Sequence, residues 1–121
     1  MHEMGIVNSV LDAVRAEARR FPNGHVQKVC VRVGELAGVD PDAMSFCFEA
    51  LVRGSELEPL ALEIEYCGRR YQCRACGHSY AASVDGPACP ECATPCPQFV
   101  GGDELEIAYL EVEDGARAAG A

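Results

Sequence analysis

Two pairs of cysteines are the residues of this sequence whose type and spacing most clearly indicate a chemistry. The pairs are Cys73-Arg74-Ala75-Cys76 and Cys89-Pro90-Glu91-Cys92, and twelve residues separate them. Each CxxC segment can form a tight turn that directs two sulfurs at one point, and two such turns supply the four thiolates that suit a tetrahedral zinc ion. We therefore predict a structural zinc site on Cys73, Cys76, Cys89 and Cys92. Iron in a rubredoxin-like site is the alternative.

A site closed by four thiolates predicts a role in folding, because it leaves no open position for a catalytic water. The sequence also shows no convincing nucleophile–base pair and no phosphate-binding glycine loop, so we expect that the protein is not an enzyme. Cys96 is interpreted as a bystander, although a replacement ligand or a redox-sensitive thiol stays open. His78 is expected outside the coordination sphere. The other three cysteines are expected to be small core residues, namely Cys30, Cys47 and Cys67.

The first three residues, Met1-His2-Glu3, bring several metal donors together. They offer an α-amine, main-chain nitrogens, an imidazole and a carboxylate, and a nitrogen-rich plane favours Ni(II) or Cu(II) over zinc or magnesium. Main-chain nitrogens bind in this way only after they lose their protons, so the metal affinity should fall at low pH. From the residues alone, a nickel site at His2 and Glu3 competes with the interpretation of a frayed chain end.

Apolar residues at helical spacing predict two helices. The first is expected from about Met4 to Arg20, with a buried stripe at Met4, Val7, Leu11, Val14, Ala18 and Phe21. Asp40-Pro41 predicts the N-cap and the first position of a second helix, which runs to about Arg53 before Gly54. Its buried stripe is expected at Met44, Cys47, Phe48 and Leu51.

Alternating residues predict three strands. They are expected at 26–33, at 62–66 and from residue 105 onward, and the last pattern slips near Tyr109-Leu110, which predicts a bulge. The fold class is therefore predicted to be α+β, with a small three-stranded sheet, two helices and an inserted zinc-ribbon-like module.

The segment 68–102 differs from its surroundings, because it is rich in Cys, Pro and Gly and poor in large aliphatic residues. It cannot bury much core of its own, so we interpret it as a module that a metal must hold together. The predicted domains are residues 1–67 with 103–114 as the α/β nickel-binding domain, and 68–102 as the zinc-binding module. Residues 115–121 are expected to be a flexible tail.

Charge and length exclude some classes of function. The 121 residues carry a formal charge of −9, which disfavours nucleic-acid binding. A nucleic-acid-binding or other interaction module of the zinc-ribbon type is nevertheless the alternative, with Arg69, Arg70 and Arg74 as its basic cluster. We see no export signal and no apolar stretch that could span a bilayer, so a cytoplasmic protein without membrane contact is expected.

The order and spacing of these motifs resemble the HypA/HybF family of hydrogenase nickel-incorporation proteins over nearly the whole chain, from Met1 to about Glu113. The resemblance rests on these segments: Met1-His2-Glu3-Met4, Val31-Arg32-Val33-Gly34-Glu35, Phe46 to Leu51, Cys73-Arg74-Ala75-Cys76-Gly77, Cys89-Pro90-Glu91-Cys92 and Gly102-Asp103-Glu104-Leu105-Glu106-Ile107. One segment departs from the family, because Ala93-Thr94-Pro95-Cys96-Pro97 stands where many relatives have a Gly- or Ser-rich turn.

The resemblance implies a nickel metallochaperone. It implies a nickel site on His2 with Glu3 and the first main-chain nitrogens, and zinc on the four cysteines of the two pairs. As partners it implies a HypB-type GTPase and the large subunit of nickel–iron hydrogenase, and for some members urease. Asp40 resembles a position linked to the nickel site in some relatives, and the N-cap role explains it at least as well. Formation of a homodimer, with or without domain swapping, stays open.

Overall fold

The computed structural model of this chain describes residues 3–83 and 86–114. The predicted ligand His2 and the predicted tail 115–121 lie outside the described residues. The described elements are α1 Glu3–Ala18, β1 Gly24–Gly34, α2 Pro41–Val52, β2 Ala61–Cys67, β3 Arg70–Gln72, β4 Ser79–Ala81, β5 Gln98–Gly101 and β6 Leu105–Asp114.

The larger sheet has the strand order β2-β1-β6, with β2 parallel and β6 antiparallel to β1. The central strand alternates, so Val29, Val31 and Val33 share one face, and all three are fully buried. They pack in one core with residues of α1 and α2, such as Leu11 and Met44. We call this part the helix-covered sheet, meaning α1, α2, β1, β2 and β6. It confirms the predicted α+β class.

The buried stripe of α1 differs from the predicted one. Met4 is 43% exposed, and Phe21 is 41% exposed and lies beyond the end of the helix. Ile6 and Val10, which the predicted stripe omitted, are buried instead. The reason is that α1 packs against both β1 and α2, which widens its buried face to adjacent positions. The predicted buried stripe of α2 is confirmed, since Met44 and Phe48 are buried and Cys47 and Leu51 are partly buried.

A bulge in β6 confirms the predicted slip of pattern and decides which side chains face the helices. Cys30 pairs with Tyr109 and Val31 pairs with Ile107, so Ala108 is the extra residue. Because the bulge resets the alternation, the apolar residues on both sides of it share the helix side of the sheet. This helix-side row is Leu105, Ile107, Leu110 and Val112, and the opposite row is Glu106, Tyr109, Glu111 and Glu113.

The face of the sheet away from the helices is covered by ion pairs. Lys28 lies 3.0 Å from Glu63 of β2 and 3.1 Å from Glu111 of β6. Arg32 is placed in the same way between β2 and β6, 3.1 Å from Glu65 and 3.6 Å from Glu106. These contacts cover the thiol of Cys30, which lies between Lys28 and Arg32 on β1. Cys30 is fully buried, as predicted. Cys47 and Cys67 are half-buried.

A second sheet of order β4-β3-β5 lies between β2 and β6 in the sequence. Both connections to it are held at the end of β1. The N–H of Glu35 donates to Cys67 (2.7 Å) and the N–H of Leu36 donates to Gly102 (2.6 Å). A Cβ on Gly34 would lie 2.2 Å from the carbonyl oxygen of Gly102, so this close approach requires glycine. The Arg69 guanidinium pairs with Glu35 at 2.9 Å across the same junction.

Candidate metal centre

The two cysteine pairs meet at one point. The Sγ atoms of Cys73 and Cys92 are 3.5 Å apart, and those of Cys76 and Cys89 are 3.7 Å apart. All four sulfurs lie within 4.8 Å of one another. Four sulfurs at about 2.3 Å from a tetrahedral zinc would be separated by about 3.8 Å. The cluster therefore fits a single four-coordinate metal ion, as the spacing of the pairs predicted.

The two CxxC turns repeat the same main-chain hydrogen bonds. The N–H of Cys73 donates to the carbonyl five residues later at His78 (2.8 Å), and the N–H of Cys89 donates to that of Thr94 (3.1 Å). The carbonyl of Cys73 also accepts from the N–H of Gly77 (3.0 Å), and the carbonyl of Cys89 accepts in the same way from the N–H of Ala93 (2.8 Å). The turns are thus two copies of one local structure, and each directs its two sulfurs to the cluster.

This repeat accounts for the backbone conformation at the start of the segment Ala93-Thr94-Pro95-Cys96-Pro97. Gly77 has φ +78°, and Ala93 has φ 60° at the matching place in the second turn. A left-handed backbone suits glycine and is strained for alanine by about 1 kcal/mol. Ala93 therefore adopts the glycine-like conformation without being glycine. Cys96, at φ 61°, is a second strained position in the same loop.

Main-chain N–H groups point at sulfur atoms of the cluster. The N–H groups of Ala75 and Cys76 lie 3.4 Å from the Cys73 sulfur, and the N–H of Glu91 lies 3.4 Å from that of Cys89. The donation from Cys76 is the main reason why the pKa of Cys73 is lowered to about 6. The N–H of His78 has the same effect on Cys76, but burial and the three neighbouring sulfurs outweigh it and raise the pKa of Cys76 to about 12.

The side chains of Thr94 and His78 lie beside the cluster. The hydroxyl of Thr94 lies 3.0 Å from the exposed Cys92 sulfur, within hydrogen-bond distance, and either group could be the donor. This contact was not predicted, although a hydroxyl two residues after a cysteine of such a turn was a signal for it. The half-buried ring of His78 stacks on Tyr80, with the ring centroids 6.0 Å apart.

The apolar core around the four cysteines is very small. Its buried members are Cys73, Cys89 and Tyr80, and Tyr71 packs against them partly buried. The hydroxyl of Tyr80 donates to the carbonyl of Pro87. Two of the three buried residues are themselves sulfur ligands of the cluster, so apolar burial alone can contribute little to the stability of this sheet.

Asp40 and the start of α1 are linked by hydrogen bonds. The carboxylate of Asp40 accepts from the N–H groups of Asp42 (3.0 Å) and Ala43 (3.4 Å), which confirms the predicted N-cap of α2. The N–H of Asp40 donates to the carboxylate of Glu3 at 3.2 Å. Two main-chain N–H groups, that of Glu3 itself and then that of Asp40, lower the pKa of Glu3. The third residue of the chain is thereby attached to the cap of the second helix.

The charge of the predicted basic cluster is partly neutralised, because Arg69 pairs with Glu35. The other two arginines of the cluster, Arg70 and Arg74, are exposed. Among the residues that the structure describes, no helix is both long enough and apolar enough to cross a membrane.

Comparison with known proteins identifies a family for this chain. A family model described as hydrogenase/urease nickel incorporation, metallochaperone, hypA matches residues 1–112. The hydrogenase maturation factor HypA of Chlorobium limicola is 36% identical, over 95% of this chain and 99% of the relative. That of Alkalilimnicola ehrlichii is 40% identical, over 93% of this chain and 100% of the relative.

A solved relative shows the same fold. The solution structure of the Ni metallochaperone HypA from Helicobacter pylori has a TM-score of 0.59 and 24% identity, and the match covers 92% of this chain and 97% of that one. The four-cysteine cluster, the α+β architecture and the family match over residues 1–112 lead to one assignment. This chain belongs to the HypA family of nickel-incorporation metallochaperones.

Proposed function

We propose that this protein binds Ni(II) at Met1, His2 and Glu3 and delivers it for the maturation of nickel–iron hydrogenase, with urease as a further client. The family match to nickel-incorporation metallochaperones supports the metal and the task. The observation that carries the location of the site is the hydrogen bond between the N–H of Asp40 and the Glu3 carboxylate. It ties the residue next to His2 to a folded part of the molecule.

Glu3 has two properties that suit a nickel ligand. Its carboxylate is kept ionised, because the main-chain N–H groups of Glu3 and Asp40 lower its pKa. It lies in the first turn of α1, directly after the residues that carry the imidazole and the α-amine. Nickel binding of this kind requires a free α-amine on Met1. Few side chains hold the cargo, so nickel can pass by ligand exchange when an acceptor protein approaches.

We propose zinc as the metal of the four-cysteine cluster, with Cys73, Cys76, Cys89 and Cys92 as its ligands. The sulfur separations fit a tetrahedral ion of this size, and four thiolates are a ligand set that zinc favours. A bound zinc would supply a cross-link between the two turns. The small apolar core of this sheet supports that structural role.

The two proposed sites differ in ligand chemistry, which would reduce incorrect loading. Soft thiolates select zinc, and a nitrogen-rich site selects nickel. We propose that the protein acts by binding and transfer and not by catalysis, in the cytoplasm, with a HypB-type GTPase and the hydrogenase large subunit as partners. Homodimer formation is compatible with this role and is not required by it.

The experiment that tests the proposal compares wild-type protein with His2→Ala, both untagged, in a titration with Ni(II) followed by isothermal calorimetry. We expect the stoichiometric nickel site to disappear in His2→Ala, while metal analysis still finds close to one zinc ion per chain. An added N-terminal tag should have the same effect, because it consumes the free amine and moves His2 inward.

His25→Ala is the matched control, since it removes an exposed histidine of β1 at the other end of α1 from Glu3. This variant should bind nickel like the wild type. Equal nickel affinity in wild type and His2→Ala would overturn the proposed N-terminal site. Iron instead of zinc in the purified protein would overturn the proposed zinc.

A further inference from the structure

The seam between α1 and β6 is an open apolar groove. The residues of α1 that reach the core pack over β1 and α2, so the helix-side row of β6 is only partly covered, and Leu105 is 41% exposed. Two adjoining cavities of about 280 and 370 Å³ follow the seam, and Ile107 lines both. From the helix side, Ile6 and Val10 line the first cavity and Ala13 lines the second.

β6 is also an edge strand. Its inner edge pairs with β1, and within residues 3–83 and 86–114 no strand pairs with its outer edge. Such an edge presents a row of main-chain donors and acceptors that can pair with an added strand. The added strand would place alternate side chains into the seam and the others on the opposite face of the sheet.

That opposite face carries surplus negative charge. Glu106, Glu111 and Glu113 are exposed along β6. Glu106 and Glu111 contact Arg32 and Lys28, but each of these cations also contacts a carboxylate of β2. Four carboxylates therefore share two cations, and Glu113 adds a further charge. Basic side chains on an added strand would complement this surface.

We propose that the β6 edge binds an extended segment of a partner protein in which apolar and basic residues alternate. The apolar side chains would occupy the seam, and the basic ones would face the acidic row. This inference goes beyond the proposed nickel function and does not depend on it. A second copy of this chain fits poorly, because pairing of two β6 strands would bring Glu106, Glu111 and Glu113 against the same acidic residues. The other edge strand, β2, differs because α2 covers part of its helix side.

The test uses the full, metal-loaded chain and a labelled peptide of about eight residues in which lysine and valine alternate. We expect binding at low ionic strength that weakens with salt, and amide shifts in ¹⁵N spectra confined to β6 and the facing side of α1. A peptide in which glutamate and valine alternate should not bind. The double variant E106Q/E111Q should weaken binding by about tenfold, as expected for the loss of two cross-strand charge pairs.

The matched control is E63Q/E65Q, which removes the carboxylates of β2 that contact the same two cations. Both double variants leave Lys28 and Arg32 with one carboxylate each, and circular dichroism would verify that both are folded. The control should change the peptide affinity by less than about twofold, because its carboxylates lie farther from the added strand. Equal losses in the two variants, peptide shifts on β2, or absence of peptide binding would each overturn the proposal. So would β6 shifts that arise from self-association without peptide.

Discussion

The helix-covered sheet and the smaller β4-β3-β5 sheet are stabilised in different ways. Within the part of the chain that the structure describes, the first has a core of twelve buried residues drawn from both helices, β1 and the segment before β2. Among the described residues, the hydrophobic core of the second consists of Cys73, Tyr80 and Cys89. Their charges also differ, since residues 68–102 contain three arginines and two acids, whereas the rest contains seven basic and seventeen acidic residues. One part can fold by apolar burial, whereas the other would need the proposed metal as a cross-link.

Removal of the metal should have the largest effect, and it should unfold the β4-β3-β5 sheet without unfolding the helix-covered sheet. With a strong chelator under reducing conditions, we expect the dispersed amide signals of β3, β4 and β5 to be lost in ¹⁵N spectra while those of β1 remain. The reason is that binding of a structural zinc supplies on the order of 10 kcal/mol of folding free energy. Cys76→Ser should produce the same spectrum, and Cys96→Ser, outside the cluster, should leave the metal content unchanged. Intact β3–β5 signals after metal removal would contradict the comparison.

Truncation of the apolar core should affect the other part. Leu11 is 1% exposed, so Leu11→Ala should lower the free energy of unfolding of the helix-covered sheet by about 3 kcal/mol. Urea unfolding followed by circular dichroism measures this change, and the zinc content should stay near one ion per chain. The control is Leu36→Ala, at a residue that is 52% exposed, where the effect should stay below about 0.5 kcal/mol. A similar loss in the free energy of unfolding in both variants would contradict the assignment of Leu11 to the core.

Low pH should also affect the two parts differently. Because the pKa of Cys73 is lowered to about 6, this thiolate of the metal-free site takes up a proton below about pH 6, and the metal must then displace it. The logarithm of the metal affinity should therefore fall as the pH falls. Below about pH 6 its slope against pH should steepen by about one, because each metal ion then displaces one further proton. Chelator competition between pH 8 and pH 5 measures the slope, while circular dichroism reports whether the helices persist. A constant slope would contradict the role given to Cys73.

The smallest expected effect concerns the repeat within the cysteine turns. Ala93→Gly should relieve the strain of φ 60°, and Gly77→Ala should introduce it at φ +78°, where no neighbouring atom lies within 4 Å of the new Cβ. Each change should alter metal retention by about 1 kcal/mol, in opposite directions. Competition with a chromophoric chelator is sensitive enough to detect both. Effects of the same sign would show that the two turns are not equivalent.

Local patterns predicted most of the fold, because neighbouring residues determine them. The Asp40-Pro41 cap, the alternation of β1 and the slip in β6 are each decided by a few residues in sequence, and the structure confirms them. The stripe of α1 was predicted less well. Met4 and Phe21 have the right spacing, but burial depends on which elements the helix meets, and spacing alone does not contain that information.

The four-cysteine cluster was predictable from the sequence alone, since the ligand type and the CxxC spacing limit the geometry that the four sulfurs can adopt. Tertiary structure alone decided the contacts between distant residues. These include the attachment of Glu3 to Asp40, the close approach of Gly34 to Gly102 and the open seam beside β6. Each arises where segments far apart in the chain meet, and such meetings depend on the packing of the whole molecule.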